Sequence, residues 1–210
     1  MSSLATLLAR TPVLPVVTVD NAEDAVPLAQ SLLRGGIKAI EVTLRTAAGL
    51  DAIAQIAKQV PDMLIGAGTV LSPKDLMACA AAGAVFAVSP GATPQLLTAA
   101  KSSRIPLLPG VSTTSDIMLG LEHDLQFFKF FPAATSGGVD ALKAFSGPFS
   151  QLRFCPTGGI TLNTAPSYLA LKNVVCIGGS WLTPAAAIEK KDWDTIERLA
   201  REAVTNLRAG

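Results

Sequence analysis

Short runs of β-branched and other apolar residues alternate along the chain with longer segments rich in alanine and leucine. The apolar runs predict eight strands, at residues 13–19, 37–43, 63–69, 85–89, 105–110, 125–131, 152–157 and 174–180. The segments between them carry helical spacing, as in residues 22–34, 47–58, 73–82, 94–101 and 113–121. Successive strands begin roughly 20 to 27 residues apart, which is typical of a repeated strand–helix unit.

The strands are almost continuously hydrophobic, and residues 127–131 (FFKFF) are the clearest example. Such runs indicate parallel strands that helices bury on both faces. Eight units of this kind predict an α/β protein with a single (β/α)8 barrel, a TIM barrel, spanning residues 1–210. An open doubly wound sheet is the alternative, but the stretch Gly66-Ala67-Gly68 lacks the third glycine of the dinucleotide fingerprint, because position 71 is leucine.

The two ends of the chain carry additional helical patterns. Before Thr11, an amphipathic helix with Leu4, Leu7 and Leu8 on one side is predicted to cover the bottom of the barrel. Residues 193–207 have one apolar face, which predicts a helix that closes the last unit.

Composition narrows the range of partners. Half of the residues are hydrophobic and only 16% are charged, and Lys plus Arg exceed Asp plus Glu by one, so we expect neither nucleic acid nor a membrane surface as a partner.

Cys79, Cys155 and Cys176 share no C-x-x-C spacing, which indicates reduced thiols in a cytoplasmic protein. His123 is the only histidine, so a metal site with several imidazole ligands is not expected. We also expect no signal peptide and no membrane-spanning helix.

Glu41 is the first candidate for catalysis, because barrel enzymes carry their chemistry at the carboxyl ends of the strands. Period-two alternation puts Ala39, Glu41 and Thr43 on one face of the second strand, directed into the barrel. A buried carboxylate can serve as a general acid and base. The alternative is a structural salt bridge with a neighbouring Lys or Arg.

Lys129 is the second candidate, and alternation puts it on one face with Phe127 and Phe131. We expect four phenylalanine rings to desolvate it, which favours a neutral amine that can attack a carbonyl carbon and form a Schiff base. The alternatives are a structural counter-ion for Glu41 and a lysine whose amine reaches solvent at the barrel rim.

Candidate binding groups follow several other strands. Arg45 can hold a carboxylate through two hydrogen bonds, and Thr69 offers a hydroxyl beside small residues that let a ligand approach the backbone. Glycine pairs occur at Thr157-Gly158-Gly159 and at Gly178-Gly179-Ser180, after the last two strands. Backbone amides in these two loops often bind phosphate in this fold, so we predict a phosphorylated small-molecule ligand.

Five segments, spread over essentially the whole chain, together resemble one family. They are residues 41–46 (EVTLRT), 66–71 (GAGTVL), 128–133 (FKFFPA), 154–160 (FCPTGGI) and 176–181 (CIGGSW). They resemble the 2-keto-3-deoxy-6-phosphogluconate (KDPG) aldolases, whose bifunctional members also cleave 4-hydroxy-2-oxoglutarate (KHG). The resemblance implies a class I aldolase of the Entner–Doudoroff pathway that uses no metal or other cofactor, with a (β/α)8 fold and usually three identical subunits.

The same resemblance implies roles for individual residues. Lys129 matches the Schiff-base lysine, and Glu41 matches the residue that accepts and returns the proton. The remaining matches are Arg45 and Thr69 for the pyruvyl carboxylate, Thr157 beside the reacting centre, and Gly158, Gly159, Gly179 and Ser180 for the phosphate. Ala134 is a departure, because family members often carry glutamate there; we expect it to alter the mouth of the site without touching these roles.

The sequence leaves two other functions open. A phosphosugar isomerase or epimerase would use Glu41 as its base and the same phosphate loops, with Lys129 acting electrostatically and forming no imine. A barrel that only binds a phosphorylated metabolite would give no reason to bury a lysine among phenylalanines.

Overall fold

The computed structural model describes Leu4, Leu8 and residues 11–207. Within residues 11–207, nine strands and nine α-helices follow one another in a largely alternating order. The strands are β1 (Val13–Val17), β2 (Ala39–Thr43), β3 (Leu64–Gly68), β4 (Phe86–Val88), β5 (Leu107–Leu108), β6 (Gly110–Val111), β7 (Phe127–Phe130), β8 (Arg153–Pro156) and β9 (Ile177–Gly179). The helices are α1 (Ala25–Arg34), α2 (Gly49–Gln59), α3 (Pro73–Ala81), α4 (Pro94–Lys101), α5 (Thr114–Leu121), α6 (Gly138–Phe145), α7 (Ala165–Leu169), α8 (Ala185–Glu189) and α9 (Trp193–Leu207).

All strand pairs are parallel, and the strands form a curled sheet in two parts. The larger part has six strands in the order β5-β4-β3-β2-β1-β9, and the smaller part has the order β6-β7-β8. The predicted α/β class is therefore confirmed. In the register, Glu41 lies opposite Gly66, and Lys129 lies between Gly110 and Cys155.

The structure divides the strand predicted over residues 105–110 into two short strands, β5 and β6. Pro109 separates β5 from β6, because proline has no N–H to donate to a neighbouring strand. β5 pairs with β4 and β6 pairs with β7, so the two parts of the sheet meet at this proline. At the other side, single parallel bridges join Phe154 to Val174 and Thr157 to Gly178.

The side chains separate into an outer and an inner apolar cluster. On β2, Ile40 and Val42 belong to the outer cluster between sheet and helices, whereas Ala39 belongs to the inner one. The inner cluster contains Leu4, Leu8, Leu14, Ala39, Phe86, Val88, Leu108, Cys155 and Cys176. Alternation along the strands thus separates the residues that pack against the helices from those inside the curl.

The N-terminal helix can be assessed at two positions only. Leu4 and Leu8 are helical, buried and part of the inner cluster. Leu7 and the other residues of the predicted helix lie outside the described residues, so its extent stays a prediction.

Capping side chains and prolines mark the starts of several helices. The side chains of Ser72, Thr93 and Thr113 accept hydrogen bonds from backbone amides in the first turns of α3, α4 and α5. Pro73 and Pro94 open their helices, where a missing N–H is tolerated. Among the residues that the structure describes, no helix is both long and apolar enough to cross a membrane.

Candidate active site

Glu41 and Lys129 form an ion pair inside the curled sheet. The Lys129 Nζ atom lies 3.1 Å from Oε1 and 3.4 Å from Oε2 of Glu41. Glu41 is 1% exposed and Lys129 4% exposed, so both charges are removed from water. The counter-ion arrangement considered for these residues is therefore present, and it brings a proton acceptor into contact with the candidate nucleophile.

The expected cage of four phenyl rings around Lys129 is wrong. Phe128 and Phe130 lie on the opposite face of β7, where their rings pack against those of Phe154 and Phe145. Phe131 is the ring near the amine, with its centroid 5.2 Å from Nζ. Lys129 is thus desolvated by its place inside the sheet and stabilised by Glu41 and by the face of one aromatic ring.

Thr157 follows the last residue of β8 and is buried. Its backbone amide donates to the Phe130 carbonyl at 2.9 Å, which fixes it beside the strand that carries Lys129. A Cβ on the opposite residue, Gly178, would lie 2.7 Å from Cγ2 of Thr157, so the glycine leaves room for the threonine side chain. Thr157 therefore projects into space that the neighbouring strand leaves free.

Arg45 and Thr69 follow the carboxyl ends of β2 and β3, as the sequence predicts. Arg45 is exposed, and among the described residues no carboxylate lies within salt-bridge distance of it. Thr69 has φ of 58°, a left-handed conformation that is strained for a β-branched residue. Neighbouring bonds hold it, including one from the Val70 amide to the Val88 carbonyl at 3.1 Å, and held strain of this kind is concentrated at functional sites.

The two glycine-rich segments differ in their geometry. Gly158 and Gly159 have φ of 101° and 73°, so their turn requires glycine, and neither amide donates to another described residue. Gly179 is instead the buried last residue of β9, where a side chain would collide with the Trp181 ring, and the exposed Ser180 follows it. The first segment thus offers free amides for an anion, whereas the second is partly strand.

The mouth of the site contains groups to which the sequence assigned no role. Thr18 and Thr43 share a hydrogen bond of 2.8 Å between their Oγ1 atoms, and Thr43 is fully buried on the face that carries Glu41. Alternation along β2 predicts that Thr43 lies on this face, but it does not predict which residue of another strand Thr43 contacts. A cleft of about 390 Å³ lies on the side of Phe131 and is lined by Val70, Pro90, Val111, Ser112 and Asp116, among others.

Ala134 contacts the first of the two glycine-rich segments. Its backbone amide donates to the Gly158 carbonyl at 3.0 Å, and a Cβ on Gly159 would lie 2.6 Å from its side chain. Ala134 therefore packs directly on the first glycine segment, and the expectation that it leaves the roles of the site residues unchanged stays a prediction.

Comparisons with known proteins agree on one family. Residues 4–199 match the family model described as KDPG and KHG aldolase. The chain is 56% identical over 203 residues to the KHG/KDPG aldolase of Escherichia coli (strain K12), covering 97% of this chain and 95% of that protein. The crystal structure of Legionella pneumophila KDPG aldolase, with pyruvate captured at low pH as a covalent carbinolamine intermediate, is 47% identical with a TM-score of 0.95 and covers 97% of this chain and 98% of that one. The Zymomonas mobilis ZM4 aldolase structure with 3-phosphoglycerate is 46% identical with a TM-score of 0.90, covering 96% and 95%.

Proposed function

This chain belongs to the KDPG and KHG aldolase family, and from that membership we propose that it is a lyase of the Entner–Doudoroff pathway. It cleaves 2-dehydro-3-deoxy-6-phosphogluconate reversibly to pyruvate and D-glyceraldehyde 3-phosphate, as a class I aldolase without a cofactor. The observation that carries this proposal is the buried contact of 3.1 Å between Lys129 Nζ and Glu41. It pairs an amine nucleophile with a group that can take and return its protons.

The reaction begins with Lys129 as the nucleophile. Transfer of one Nζ proton to the Glu41 carboxylate leaves an amine with a free electron pair, which attacks the C2 ketone of the substrate. Glu41 gives this proton to the departing hydroxyl, so the resulting carbinolamine loses water and becomes an iminium ion, and Glu41 is a carboxylate again. A covalent carbinolamine with pyruvate is the species named for the Legionella relative, which supports this order of events.

The iminium ion then accepts the electrons of the bond that breaks. Glu41 takes the proton of the C4 hydroxyl, the C3–C4 bond cleaves, and its electron pair forms the enamine while the aldehyde departs. Glu41 returns a proton to C3, and water hydrolyses the pyruvyl iminium to release pyruvate and regenerate Lys129. We assign Thr157 to a position next to the reacting centre, and its burial beside the strand of Lys129 supports this assignment.

Binding of the two ends of the substrate is assigned to different loops. Arg45 and Thr69 hold the pyruvyl carboxylate, and the guanidinium of Arg45, which pairs with no carboxylate of the described residues, supports this role. Gly158, Gly159, Gly179 and Ser180 hold the phosphate, and the free amides of the first two residues support it. Phosphate binding orients the reacting bond from a distance.

The proposal extends to 4-hydroxy-2-oxoglutarate, which would give pyruvate and glyoxylate. The specific support is the Escherichia coli relative, which is named for both activities. The Schiff-base chemistry is the same for both substrates, because each carries a C2 ketone and a C4 hydroxyl.

The activity is tested by incubating the purified protein with KDPG and following the release of pyruvate with lactate dehydrogenase. We expect pyruvate and glyceraldehyde 3-phosphate in equal amounts, and no cleavage by Lys129→Ala. Lys101→Ala is the matched control, because Lys101 forms an exposed pair with Asp124, and it should keep full activity. An isomeric phosphosugar without pyruvate would instead establish the isomerase or epimerase alternative.

We also propose that residues 1–210 form one closed (β/α)8 domain with the N-terminal helix at its bottom. β5 and β6 then count as one strand interrupted at Pro109, which gives eight strands. The bridge from Thr157 to Gly178 supports contact between the last two strands, and buried Leu4 and Leu8 support the helix.

For the assembly we propose a homotrimer in the cytoplasm. Several large apolar side chains are exposed, among them Leu71 at 61% and Met77 at 67%, and subunit contacts would remove such surface from water. The three free cysteines support a reducing compartment. Light scattering should give three times the chain mass of 21.7 kDa.

A further inference from the structure

Gly68 ends β3 directly beside the Glu41 side chain. A Cβ atom added to Gly68 would lie 2.6 Å from Cγ and 2.8 Å from Cδ of Glu41, and closer still to Oε1. Real Cβ atoms essentially never make contacts under 3.0 Å. The carboxylate of Glu41 therefore occupies the space that any side chain at position 68 would need.

Conformational freedom does not explain this glycine. Gly68 is paired in regular parallel register with Thr43, and it is absent from the glycines with positive φ. Alanine could adopt the same backbone, and glycine inside a strand weakens the strand. What distinguishes position 68 is the missing side chain and the carboxylate that fills its place.

Glu41 has little freedom to move if this space is filled. It is 1% exposed, and both of its oxygens face Lys129 Nζ, at 3.1 and 3.4 Å. Hydrogen bonds weaken steeply with distance and angle, so a shift of the carboxylate alters its contact with the amine.

We propose that Gly68 is a positioning residue that seats the catalytic carboxylate of Glu41 against Lys129. The catalytic consequence rests on the function proposed above, whereas the steric coupling between positions 68 and 41 does not. The same strand supplies a matched control, because a Cβ on Gly66 would instead meet the Phe86 ring, 2.7 Å from Cδ2.

The experiment compares Gly68→Ala and Gly66→Ala, each in the wild-type protein and in Glu41→Ala. Thermal midpoints are measured for all variants, and kcat, KM and the pH–rate profile are measured for those that cleave KDPG. In the wild-type background we expect Gly68→Ala to lower kcat by about 10²-fold with a smaller change in KM, because the carboxylate is misplaced. Its pH–rate profile should change, while pyruvate and borohydride should still label Lys129.

Stability gives a readout that does not depend on activity. Because alanine at position 41 ends at Cβ, Gly68→Ala should not lower the thermal midpoint of Glu41→Ala, although it lowers that of the wild type. Gly66→Ala should lower the midpoint equally in both backgrounds, since its obstacle is Phe86.

Two results would overturn the proposal. The first is a folded Gly68→Ala with wild-type kcat and pH–rate profile. The second is a lower thermal midpoint for the Gly68→Ala, Glu41→Ala double variant than for Glu41→Ala alone. This comparison can be made even if the single Gly68→Ala variant does not fold. Lack of cleavage by the wild type would refute the proposed function and leave the steric coupling to be decided by the midpoints.

Discussion

The chemistry of the site depends on two opposite charges that are buried together. Removing one partner of such a pair leaves an unpaired charge and is destabilising by about 3–5 kcal/mol, so each of Glu41 and Lys129 depends on the other for its buried position. Alternation along β2 and β7 is enough to predict that both side chains point inward. It does not reveal their contact of 3.1 Å, because their separation of 88 residues is closed only by the curl of the sheet. The expected ring of four phenylalanines is wrong, because alternation along β7 puts Phe128 and Phe130 on the face opposite Lys129.

Glu41→Gln tests proton transfer at the residue scale. Glutamine keeps the size of the side chain and one acceptor oxygen, but it is not a proton acceptor. We expect cleavage to slow by about 10²- to 10⁴-fold, while borohydride still traps a Schiff base with pyruvate, at a lower rate. The measurement is the pH dependence of KDPG cleavage. A profile identical to that of the wild type would exclude Glu41 as the acid and base.

The ends of strands and the starts of helices determine where the side chains of the site lie. Helix α4 has the bounds that its pattern predicts, and α5 begins one residue later, because Thr113 is its cap. The predicted strand over residues 105–110 is divided, because the hydrophobic pattern continues through Pro109 while the hydrogen bonding does not. Helices α7 and α8 have five residues each, too few for a helical period to stand out in the sequence.

Asp116→Asn tests the start of α5, next to the cleft. The Asp116 carboxylate accepts from the amides of Ser112 and Thr113, both at 2.9 Å, and Thr113 Oγ1 accepts from the Asp116 amide. Burial would raise the pKa of Asp116, but these hydrogen bonds outweigh it and lower the pKa. The ionised form is therefore favoured in the folded protein. Its stabilisation is present above the unfolded pKa of about 3.9 and is lost as the pH falls through the lower folded value.

The expected loss for Asp116→Asn at pH 7 is about 1 kcal/mol in the free energy of unfolding. Urea unfolding at a series of pH values should show this difference shrinking below about pH 3.9. Asp140→Asn is the control, because Asp140 also lies in a first turn, that of α6, but is 93% exposed and only pairs with Lys143. A difference that stays constant down to the lowest pH would contradict the role of the Asp116 charge.

At the scale of the whole molecule, apolar layers lie on both faces of one curled parallel sheet. The near-continuous hydrophobic strands predict this class directly, since only strands covered on both faces can be so apolar. Pairing of the first strand with the last is harder to predict, because it depends on contacts between distant parts of the chain, such as Val13 with Ile177. The inner layer also contains Cys155 and Cys176, whose sulfur atoms lie 3.5 Å apart.

Chemical labelling of the cysteines tests whether these apolar layers are packed as described. Burial, with a smaller contribution from Asp75, raises the pKa of Cys79 to about 11. A hydrogen bond with Cys155, together with burial, raises the pKa of Cys176 well above its ordinary value. Because the thiolate is the reactive form and all three cysteines are buried, a thiol reagent at pH 8 should label none of them in the native protein and all three in urea. Rapid labelling of one native cysteine would contradict the packing described.

Covalent capture of pyruvate tests directly whether Lys129 forms the Schiff base. The protein is incubated with pyruvate and borohydride, and its intact mass and its proteolytic peptides are measured beside those of Lys129→Ala. We expect one reduced pyruvate per chain, on the peptide that contains Lys129, and none on the variant. A folded wild-type protein without this adduct, or with the adduct on another lysine, would contradict the assignment of Lys129 as the Schiff-base residue.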